Sequence, residues 1–459
     1  MNWRRPAICE REGCRNAYAD FLLGIPRRSI RLDPLTDRKR TSKKLGLFIT
    51  DTFKVTPKLT LDYGMRWDYF SSTVWRDGLM FNWDPASGNV IVPDSAQSKI
   101  SPLYPKNLKI AAGDPVPHPG KRNFVPRFGA AYRLNDKTVI RGGYGLFNEF
   151  LGQLARLSGG GPFEISETYF NSITNGQPLF QMPNPFPASL ANSTVSSQSV
   201  TAYPKETNTG LIHQFNFTVE RQIADMGFRL SFIGSRNRGM NYGIGINQPQ
   251  PSLVPFDSSR RPFPQFVGAS VFRTNGASNY DSMNFVANRR VGWVTVDMHW
   301  TWAHGMTNMQ NLENPYAPLA WNRDFLAKHR AVFNTMWDLP FERGKKLRRN
   351  MPAVANKIVG GWSLAWVTYL QTGQYFSPAF SDDDPSNTNT FGGLPNRTCN
   401  GNLAPGQRTI GHWFDTSCFS NPAAGRCGNS GANVLEGPGL HAHNITVVKN
   451  FKLTETREL

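Results

Sequence analysis

Residues 58–69 alternate without exception between large apolar side chains and polar or small ones. The apolar set consists of Leu59, Leu61, Tyr63, Met65, Trp67 and Tyr69. Successive side chains of a β-strand point to opposite faces, so this pattern predicts a strand with one apolar and one wet face. Strands of soluble proteins are usually about 5 to 6 residues long, whereas a tilted strand of about 9 to 11 residues crosses a bilayer. The length of the alternation therefore predicts a transmembrane β-strand.

The same alternation returns along the chain, mostly in pairs of segments. The pairs are residues 47–55 with 58–69, 124–134 with 138–149, 211–220 with 228–232, 283–290 with 294–302, and 331–339 with 362–370, and residues 445–453 follow alone. Connections within a pair have hairpin chemistry and are short, except for the basic residues 340–357. Connections between pairs are long, and we place them at residues 71–122, 150–209, 237–277, 304–324 and 375–440.

Short and long connections that alternate in this way are typical of outer-membrane barrels, which have short periplasmic turns and long extracellular loops. We therefore expect an all-β fold, an antiparallel transmembrane β-barrel, with about eleven strands in this chain.

The composition excludes a helical membrane protein but suits a barrel. Mean hydropathy is −0.43, and no run of about 18 apolar residues exists. A barrel tolerates this value because its polar inner face offsets its apolar outer face. The 459 residues include 51 basic and 33 acidic side chains, a formal net charge of +18. Apart from residues 38–44 and 343–349 the basic residues are dispersed, so we interpret them as solvated surface and expect no nucleic-acid partner.

Several segments, taken together, resemble a single family. They are GLFITDTFKVTPKLTLDYGMRWDY (residues 46–69), NFVPRFGAAYRL (123–134), RGGYGLF (141–147), HRAVFN (329–334), LPFERGK (339–345), GGWSL (360–364), QTG (371–373), WFDTSCF (413–419) and LEGPG (435–439). In this order and rough spacing they resemble the barrel domain of the Oar-like branch of TonB-dependent receptors.

The resemblance implies a 22-stranded barrel whose lumen holds an amino-terminal plug. Since about eleven strands are half of that number, we expect an incomplete barrel. We divide the chain into a residual N-terminal segment, residues 1–44, and a partial barrel domain, residues 45–459, and expect the plug, signal peptide and terminal strands to be absent. The implied surroundings and partners are outer-membrane lipid, the TonB–ExbB–ExbD system acting through the plug, and an unidentified ligand. The implied location of the intact protein is the cell outer membrane.

Three of the five cysteines, Cys399, Cys418 and Cys427, fall within one predicted extracellular loop. In an oxidising compartment we expect a disulfide between Cys399 and Cys418, with Cys418–Cys427 as the competing pairing. The remaining two, Cys9 and Cys14, form no metal-binding motif with the others.

Other polar groups offer ligands without completing a site. Oxygen ligands of the kind that calcium prefers are clustered in Asp382, Asp383, Asp384, Asn387 and Asn389. Imidazoles occur in the pairs His441 with His443 and His299 with His304. We interpret the first group as a solvated loop and the histidines as structural, and we expect no metal. Aromatic residues of the long loops, which we assign to loop packing, are Trp75, Phe81, Trp83, Tyr169, Phe170, Phe180 and Phe186.

No nucleophile-elbow, phosphate-loop or zinc-protease motif is present, so we expect neither an enzyme nor a cofactor. The sequence predicts the partial outer-membrane barrel of a TonB-dependent receptor or transporter, and the intact protein would take up or bind a large ligand at the cell surface. The alternative is a secreted, soluble β-rich adhesion or glycan-binding protein, which also favours aromatic and glycine-rich loops. Strand length separates the two, because a soluble sandwich would not keep such long alternations.

Overall fold

The computed structural model describes residues 17–33, 39–149, 161–171, 173–174, 177–186, 194–195, 198–310, 313–341, 352–381, 383–450, 452–454 and 457–458. Cys9, Cys14, Asp382 and the basic residues 343–349 lie outside the described residues.

One antiparallel sheet of long strands, here called the wall, dominates the structure. Each wall strand pairs with its neighbours in the sequence. The wall strands are β1 (Lys44–Thr56), β2 (Leu59–Phe70), β3 (Phe124–Asn135), β4 (Thr138–Asn148), β5 (Leu211–Ile223), β6 (Met226–Gly245), β7 (Gly268–Val291), β8 (Val294–Thr307), β9 (His329–Asp338), β10 (Trp362–Gln371) and β11 (Leu440–Lys449). Among the described residues β1 and β11 form the two edges, so the sheet is open. This architecture confirms the predicted all-β, antiparallel and incomplete barrel.

The strand register gathers the apolar side chains of the wall on one face, here called the outer face. One row across it joins Tyr132, Ile140, Val219, Leu230, Phe285, Trp300, Ala331 and Leu370. Many of these side chains are open to the surroundings, and Phe217 and Tyr63 are 52% and 47% exposed. Soluble monomers rarely leave so large an apolar surface uncovered. The outer face has the chemistry of a lipid-facing surface.

Tryptophans border the outer face at both ends of β8, β9 and β10. Trp293 and Trp337 stack edge to face at the short-turn end, with ring centroids 5.9 Å apart, and Trp302 lies opposite His329 at the other end. His329 and Trp337 are eight residues apart on β9, which corresponds to about 27 Å along the strand. The apolar band of outer-membrane barrels is about 25 Å tall and is flanked by aromatic girdles. With the strand tilt of about 35–45° in such barrels, this span of β9 gives a height of about 20 Å, so the aromatic side chains lie near the two borders of such a band.

Short and long connections lie at opposite ends of the wall, as predicted. Residues 57–58, 136–137, 224–225 and 292–293 form two-residue turns. Ala224 and Gly292 begin their turns with φ of 51° and 57°, the left-handed conformation that two-residue hairpins use to match strand twist. The ends of the strands on the other side are joined by the long loops, here together called the loop cap.

The connection between β9 and β10 is more structured than predicted. It contains the helix Ala353–Val359, whereas the sequence suggested only a basic turn over residues 340–357. A helix of two turns is too short to leave a periodic pattern that competes with strand alternation. Within the described part of the chain, no helix has the length and apolar character needed to cross a membrane.

The predicted loop at residues 237–277 was wrong in extent. β6 and β7 remain paired as far as Gly245 and Ser270, so the loop covers only residues 246–267. The extension carries polar residues such as Arg238 and Asn279, which hydrogen bond to each other at 2.9 Å. Glycines and polar residues alternate irregularly with the apolar residues of this extension, so the period of two that marks a strand is lost.

Among the described residues, the main dry core lies in the loop cap and reaches Ala269 at the adjoining end of β7. Its buried residues are Phe81, Trp83, Val90, Val92, Ala96, Tyr104, Leu108, Phe163, Ile165, Val200, Ala202, Phe266 and Ala269. Tyr169 and Phe180 are buried elsewhere in the cap, whereas Phe170 is exposed. Most of the loop aromatics therefore pack the loops, as the sequence suggested.

Short elements support the cap and the chain ends. The short strands are Arg28–Asp33, Arg40–Thr41, Val74–Trp75, Asn82–Trp83, Val90–Val92, Ile110–Ala112, His118–Pro119, Ile165–Phe170, Ile173–Thr174, Gln177–Pro178, Thr194–Val195, Ser199–Ala202, Glu206–Thr207, Asn322–Arg323, Tyr375–Phe376, Asn396–Arg397, Phe419–Ser420, Leu435–Glu436, Lys452–Thr454 and Arg457–Glu458. In the part of the chain that the structure describes, the helices are α-helices Ala17–Leu22 and Ala353–Val359 and 3-10 helices Asp94–Lys99, Ser258–Arg260, Pro405–Gln407 and Thr416–Cys418.

Candidate ligand-facing site

The face of the wall opposite the apolar rows, here called the inner face, is polar and largely self-paired. Arg141 forms an ion pair with Glu220 at 3.3 Å, and the hydroxyl of Thr218 donates to Ser231 at 3.0 Å. Farther along, the Thr301 hydroxyl donates to the Asn284 side chain at 2.8 Å. Groups of this kind require water or a polar partner. The inner face can therefore line an aqueous lumen or hold a polar protein element.

Arginines are frequent on the inner face, on the strands near β1. Arg66, Arg127, Arg133, Arg141 and Arg229 share it, because the register pairs them with other inner-face positions. The Arg127 guanidinium lies 4.4 Å from the centre of the Phe147 ring, and Arg66 donates to the Asp68 carboxylate at 2.8 Å. This face presents guanidinium groups, which suit carboxylates and phosphates.

A polar network joins β2, β3 and β4, at their ends nearest the long loops, to the base of the loop cap. The Asn123 side chain donates to the Asp68 carbonyl at 3.0 Å, and the Thr209 hydroxyl donates to Asn123 Oδ1 at 2.7 Å. Asn123, Asp68 and Thr209 are buried. The network could not be predicted from the sequence, since its members come from separate segments and form no local motif. It fixes where the loops leave the wall.

A polar cleft opens in the loop cap between residues 308–328 and 372–439. Its volume is about 540 Å³. We call it the Arg323 cleft. Its lining includes Trp321, Asn322, Arg323, Tyr375, Arg397, Asn400, Asn402, Asn433 and Glu436. The combination of two arginines, several amides and two aromatic rings suits a polar ligand that bears anionic or hydroxyl groups.

Hydrogen bonds hold the polar side chains of the Arg323 cleft in place. The guanidinium of Arg323 lies 4.2 Å from the centre of the Tyr375 ring. Asn433 Nδ2 donates to the Arg323 carbonyl at 2.8 Å and to Gln310 Oε1 at 2.7 Å. Asn402 Nδ2 donates to the Val434 carbonyl at 2.9 Å. The cleft is thus preorganised, which reduces the entropy lost when a ligand binds.

Two half-buried ionisable groups, Glu313 and Cys427, lie in another cleft of the loop cap. Both line one cleft between the loops, and the Glu313 carboxylate accepts the Leu394 backbone N–H at 3.1 Å. Burial raises the pKa of Glu313, and that hydrogen bond opposes the rise. Burial, and then the carboxylates of Glu313 and Asp384, raise the pKa of Cys427. The Cys427 thiol is consequently held in its neutral form.

The structure brings Cys399 and Cys418 together at disulfide geometry, with Cα atoms 5.0 Å apart, and leaves Cys427 as a free thiol. The competing Cys418–Cys427 pairing is not the one found. Asp415 lies beside the pair, and the Ser417 hydroxyl and N–H lower the pKa of its carboxyl. Cys399, Asp415 and Cys418 are close enough to hold a metal ion, but sulfur atoms joined in a disulfide cannot act as thiolate ligands. Oxidation of this pair stays a prediction.

The oxygen-rich loop at residues 383–389 is organised by its own hydrogen bonds. Asp384 accepts the Asn389 N–H at 2.6 Å and the Ser386 hydroxyl at 2.9 Å. Its carboxylate oxygens are therefore used within the turn. This arrangement agrees with a loop-forming role for Asp384.

The histidine pairs behave as structural groups. His299 bonds Asp297 at 2.8 Å on the inner face, while His304 lies on the opposite face of β8, because an odd number of positions separates them. His441 and His443 share the outer face of β11, and His443 bonds the Thr368 hydroxyl at 2.9 Å. Among the described residues, neither histidine pair lies close to a third side chain that could bind a metal ion.

Comparison with known proteins agrees with this geometry. A family model described as an outer membrane beta barrel domain matches residues 4–459. The chain belongs to this family. As an outer membrane beta barrel domain it has the two-faced wall that lipid and water require. The finer placement in the Oar-like branch stays a prediction.

Solved structures that resemble this outer membrane beta barrel domain share little sequence with it. The copper transporter OprC is 10% identical, with 91% of this chain and 41% of that chain covered at a TM-score of 0.41. The siderophore receptor PirA from Acinetobacter baumannii is 9% identical, with 90% and 40% covered at 0.40. The ferric citrate transporter FecA is 8% identical, with 90% and 38% covered at 0.38. The chain thus spans about two fifths of these proteins. No curated protein matches the chain.

Proposed function

We propose that the chain forms part of the wall of a TonB-dependent outer-membrane receptor that binds or takes up a large ligand at the cell surface. The observation that carries the proposal is the register. It places a mainly apolar face and a polar, arginine-bearing face on opposite sides of the wall, beneath a packed loop cap. The fold follows from the family match, while uptake, the plug and the TonB–ExbB–ExbD partner are parts of the proposal.

In this proposal the wall, the loops and the plug have separate tasks. The outer face contacts lipid, the inner face contacts the plug and the passing ligand, and the loop cap selects the ligand. The Arg323 cleft is the candidate selection site, since it combines fixed amides with an arginine stacked on Tyr375. No catalytic role is part of the proposal.

The exposed apolar surface favours this function over the soluble alternative. A secreted adhesion protein would have to cover Phe217, Phe232 and Phe128, which are 52%, 39% and 52% exposed on the outer face. Membership of the outer membrane family supports the same choice.

The test uses the protein that contains this chain, expressed in a Gram-negative host with and without TonB. We expect the protein to stay in the membrane pellet after a carbonate wash. Candidate siderophores and metal complexes, each radiolabelled, should bind at the surface in both hosts and accumulate only in the host with TonB. Release by carbonate would contradict the membrane wall, and accumulation without TonB would contradict the receptor mechanism. An Arg323→Ala variant should lose binding, whereas Asp114→Asn in another loop should keep it.

A further inference from the structure

Residues 403–414, here called the tongue, lie against the outer face of the wall. A cleft of about 530 Å³ separates the two. Pro405, Arg408 and Trp413 line it from the tongue, and Trp300, His329, Ala331, Leu370 and His441 line it from the wall. Trp300, Ala331, Leu370 and His441 form one row of the outer face. The tongue therefore reaches down to the level of the apolar band.

Both sides of the tongue are anchored, so its tip has a defined position. Arg408 Nε donates to the Leu403 carbonyl at 2.8 Å, and its Nη2 lies 3.5 Å from Glu436. Trp413 Nε1 donates to the Glu436 carbonyl at 2.7 Å. Between them, the backbone N–H groups and carbonyls of Thr409 and His412 bond each other at 3.1 and 3.2 Å. This bridge closes a tight turn around the tip.

Ile410 occupies that tip with its side chain fully exposed, at 103% of the reference accessibility. A large aliphatic residue held fully exposed in a fixed turn is unfavourable in water. The turn is flanked by Arg408 and Trp413, which line the cleft beside the apolar row of the outer face. Arg408 and Trp413 behind it are residue types that combine an apolar body with a polar end and favour the membrane interface.

We propose that the tongue is a membrane-contacting element that inserts Ile410 into the lipid leaflet at the long-loop end of the wall. The occupant is lipid, because the cleft borders the lipid-facing row from Trp300 to His441 and the tip next to it carries the fully exposed Ile410. This inference rests on the proposed membrane location of the wall. It adds that one extracellular loop binds the bilayer surface and so cannot move freely over the lumen.

The test places the photoreactive residue benzoylphenylalanine at single positions of the protein in phosphatidylethanolamine–phosphatidylglycerol vesicles. The positions are Ile410, the outer-face residue Phe217 as positive control, and Leu253 as negative control. Leu253 is 75% exposed in another loop and packs beside Gly425 of the cap. After irradiation, mass spectrometry identifies phospholipid adducts. We expect adducts at Ile410 and Phe217 and none at Leu253.

Other outcomes separate this inference from the function on which it rests. Adducts at Phe217 without adducts at Ile410 would overturn the tongue inference and leave the membrane wall intact. Adducts at neither position would overturn both. A crosslink from position 410 to a second copy of the chain, or adducts at Leu253 equal to those at Ile410, would also overturn the tongue inference.

An independent measurement uses an environment-sensitive fluorophore attached to Ile410→Cys in a background in which Cys9, Cys14 and Cys427 are replaced by serine. Brominated phospholipid quenches fluorophores that lie within the leaflet. We expect stronger quenching at this position than with the same fluorophore on Leu253→Cys. Equal quenching at the two positions would overturn the tongue inference.

Discussion

Glu313 and Cys427 show at the scale of single residues how the loop cap controls ionisation. Neither belongs to a motif, and they lie far apart in the sequence. The fold brings both to one cleft between loops, where burial raises the pKa of each. From the sequence, Cys427 could be predicted only as a competing partner of Cys418, since disulfide pairing and burial depend on the packing of distant loops.

The Glu313→Gln substitution should make Cys427 more reactive at lower pH. The Glu313 carboxylate raises the pKa of the thiol, so its removal brings that pKa closer to its usual value and increases the thiolate fraction at a given pH. The carboxamide of the substituted side chain can still accept the Leu394 N–H. The measurement is the rate of Cys427 alkylation by iodoacetamide against pH. Asp114→Asn, which removes a carboxylate elsewhere, should leave the profile unchanged; an unshifted profile in Glu313→Gln would contradict the proposed coupling.

The three loop cysteines should differ in their response to alkylation without a reductant. We expect label on Cys427 and none on Cys399 or Cys418, which acquire it only after reduction, as peptide mass mapping would show. The bridged cysteines are 19 positions apart, and a disulfide that closes a loop of this size stabilises the folded state by about 3 kcal/mol. Reduction should therefore speed proteolysis of residues 399–418. Equal labelling of all three cysteines in the unreduced protein would argue against the bridge.

The strands show at the scale of elements how far alternation predicts structure. β2 and β5 keep a strict period of two and were predicted nearly to their ends, because lipid on one side and water on the other impose that period. The long-loop ends of β6 and β7 were missed, since glycines and polar residues interrupt the alternation there. Their apolar side chains, such as Tyr242 and Ile244, are buried instead of forming a lipid-facing row. The helix Ala353–Val359 was missed because it is too short to leave a periodic signal.

Arginine should be tolerated on one face of β5 and not on the other. Phe217 lies on the outer face near the middle of the strand, and its neighbour Asn216 lies on the inner face. We expect Phe217→Arg to lower the free energy of unfolding in lipid vesicles by about 2 to 4 kcal/mol, since a charge then faces hydrocarbon. Asn216→Arg should change it much less. Urea titration monitored by tryptophan fluorescence compares the two, and equal losses would argue against a one-sided lipid contact.

At the scale of the whole molecule, the wall and the loop cap differ in how their side chains are packed. The wall has no dry core of its own among the described residues, whereas the loops pack around Trp83, Phe266 and Ile165. The sequence predicted the wall from local patterning, but the cap core and the Arg323 cleft combine loops from distant parts of the chain and leave no local signal. Sequence reasoning alone could identify the class of protein and not its candidate site.

The unpaired edges of the wall, strands β1 and β11, lead to a prediction about closure of the barrel. In hydrocarbon the unpaired backbone groups of β1 and β11 are unfavourable, so in the membrane these edges must be paired in a closed barrel. A closed barrel resists detergent until heated. We expect the protein that contains this wall to migrate on a detergent gel at a different apparent mass before and after boiling; identical migration would contradict closure.

The central claim is that lipid and water meet at the two faces of one sheet, and photolabelling of β5 in a bilayer tests it most directly. A lipid-soluble diazirine is activated in vesicles that hold the unmodified protein, and adducts are mapped by mass spectrometry. The account predicts label on Phe215, Phe217 and Val219 and none on Gln214, Asn216 and Thr218. Label distributed equally over both sets, or absent from both, would contradict it.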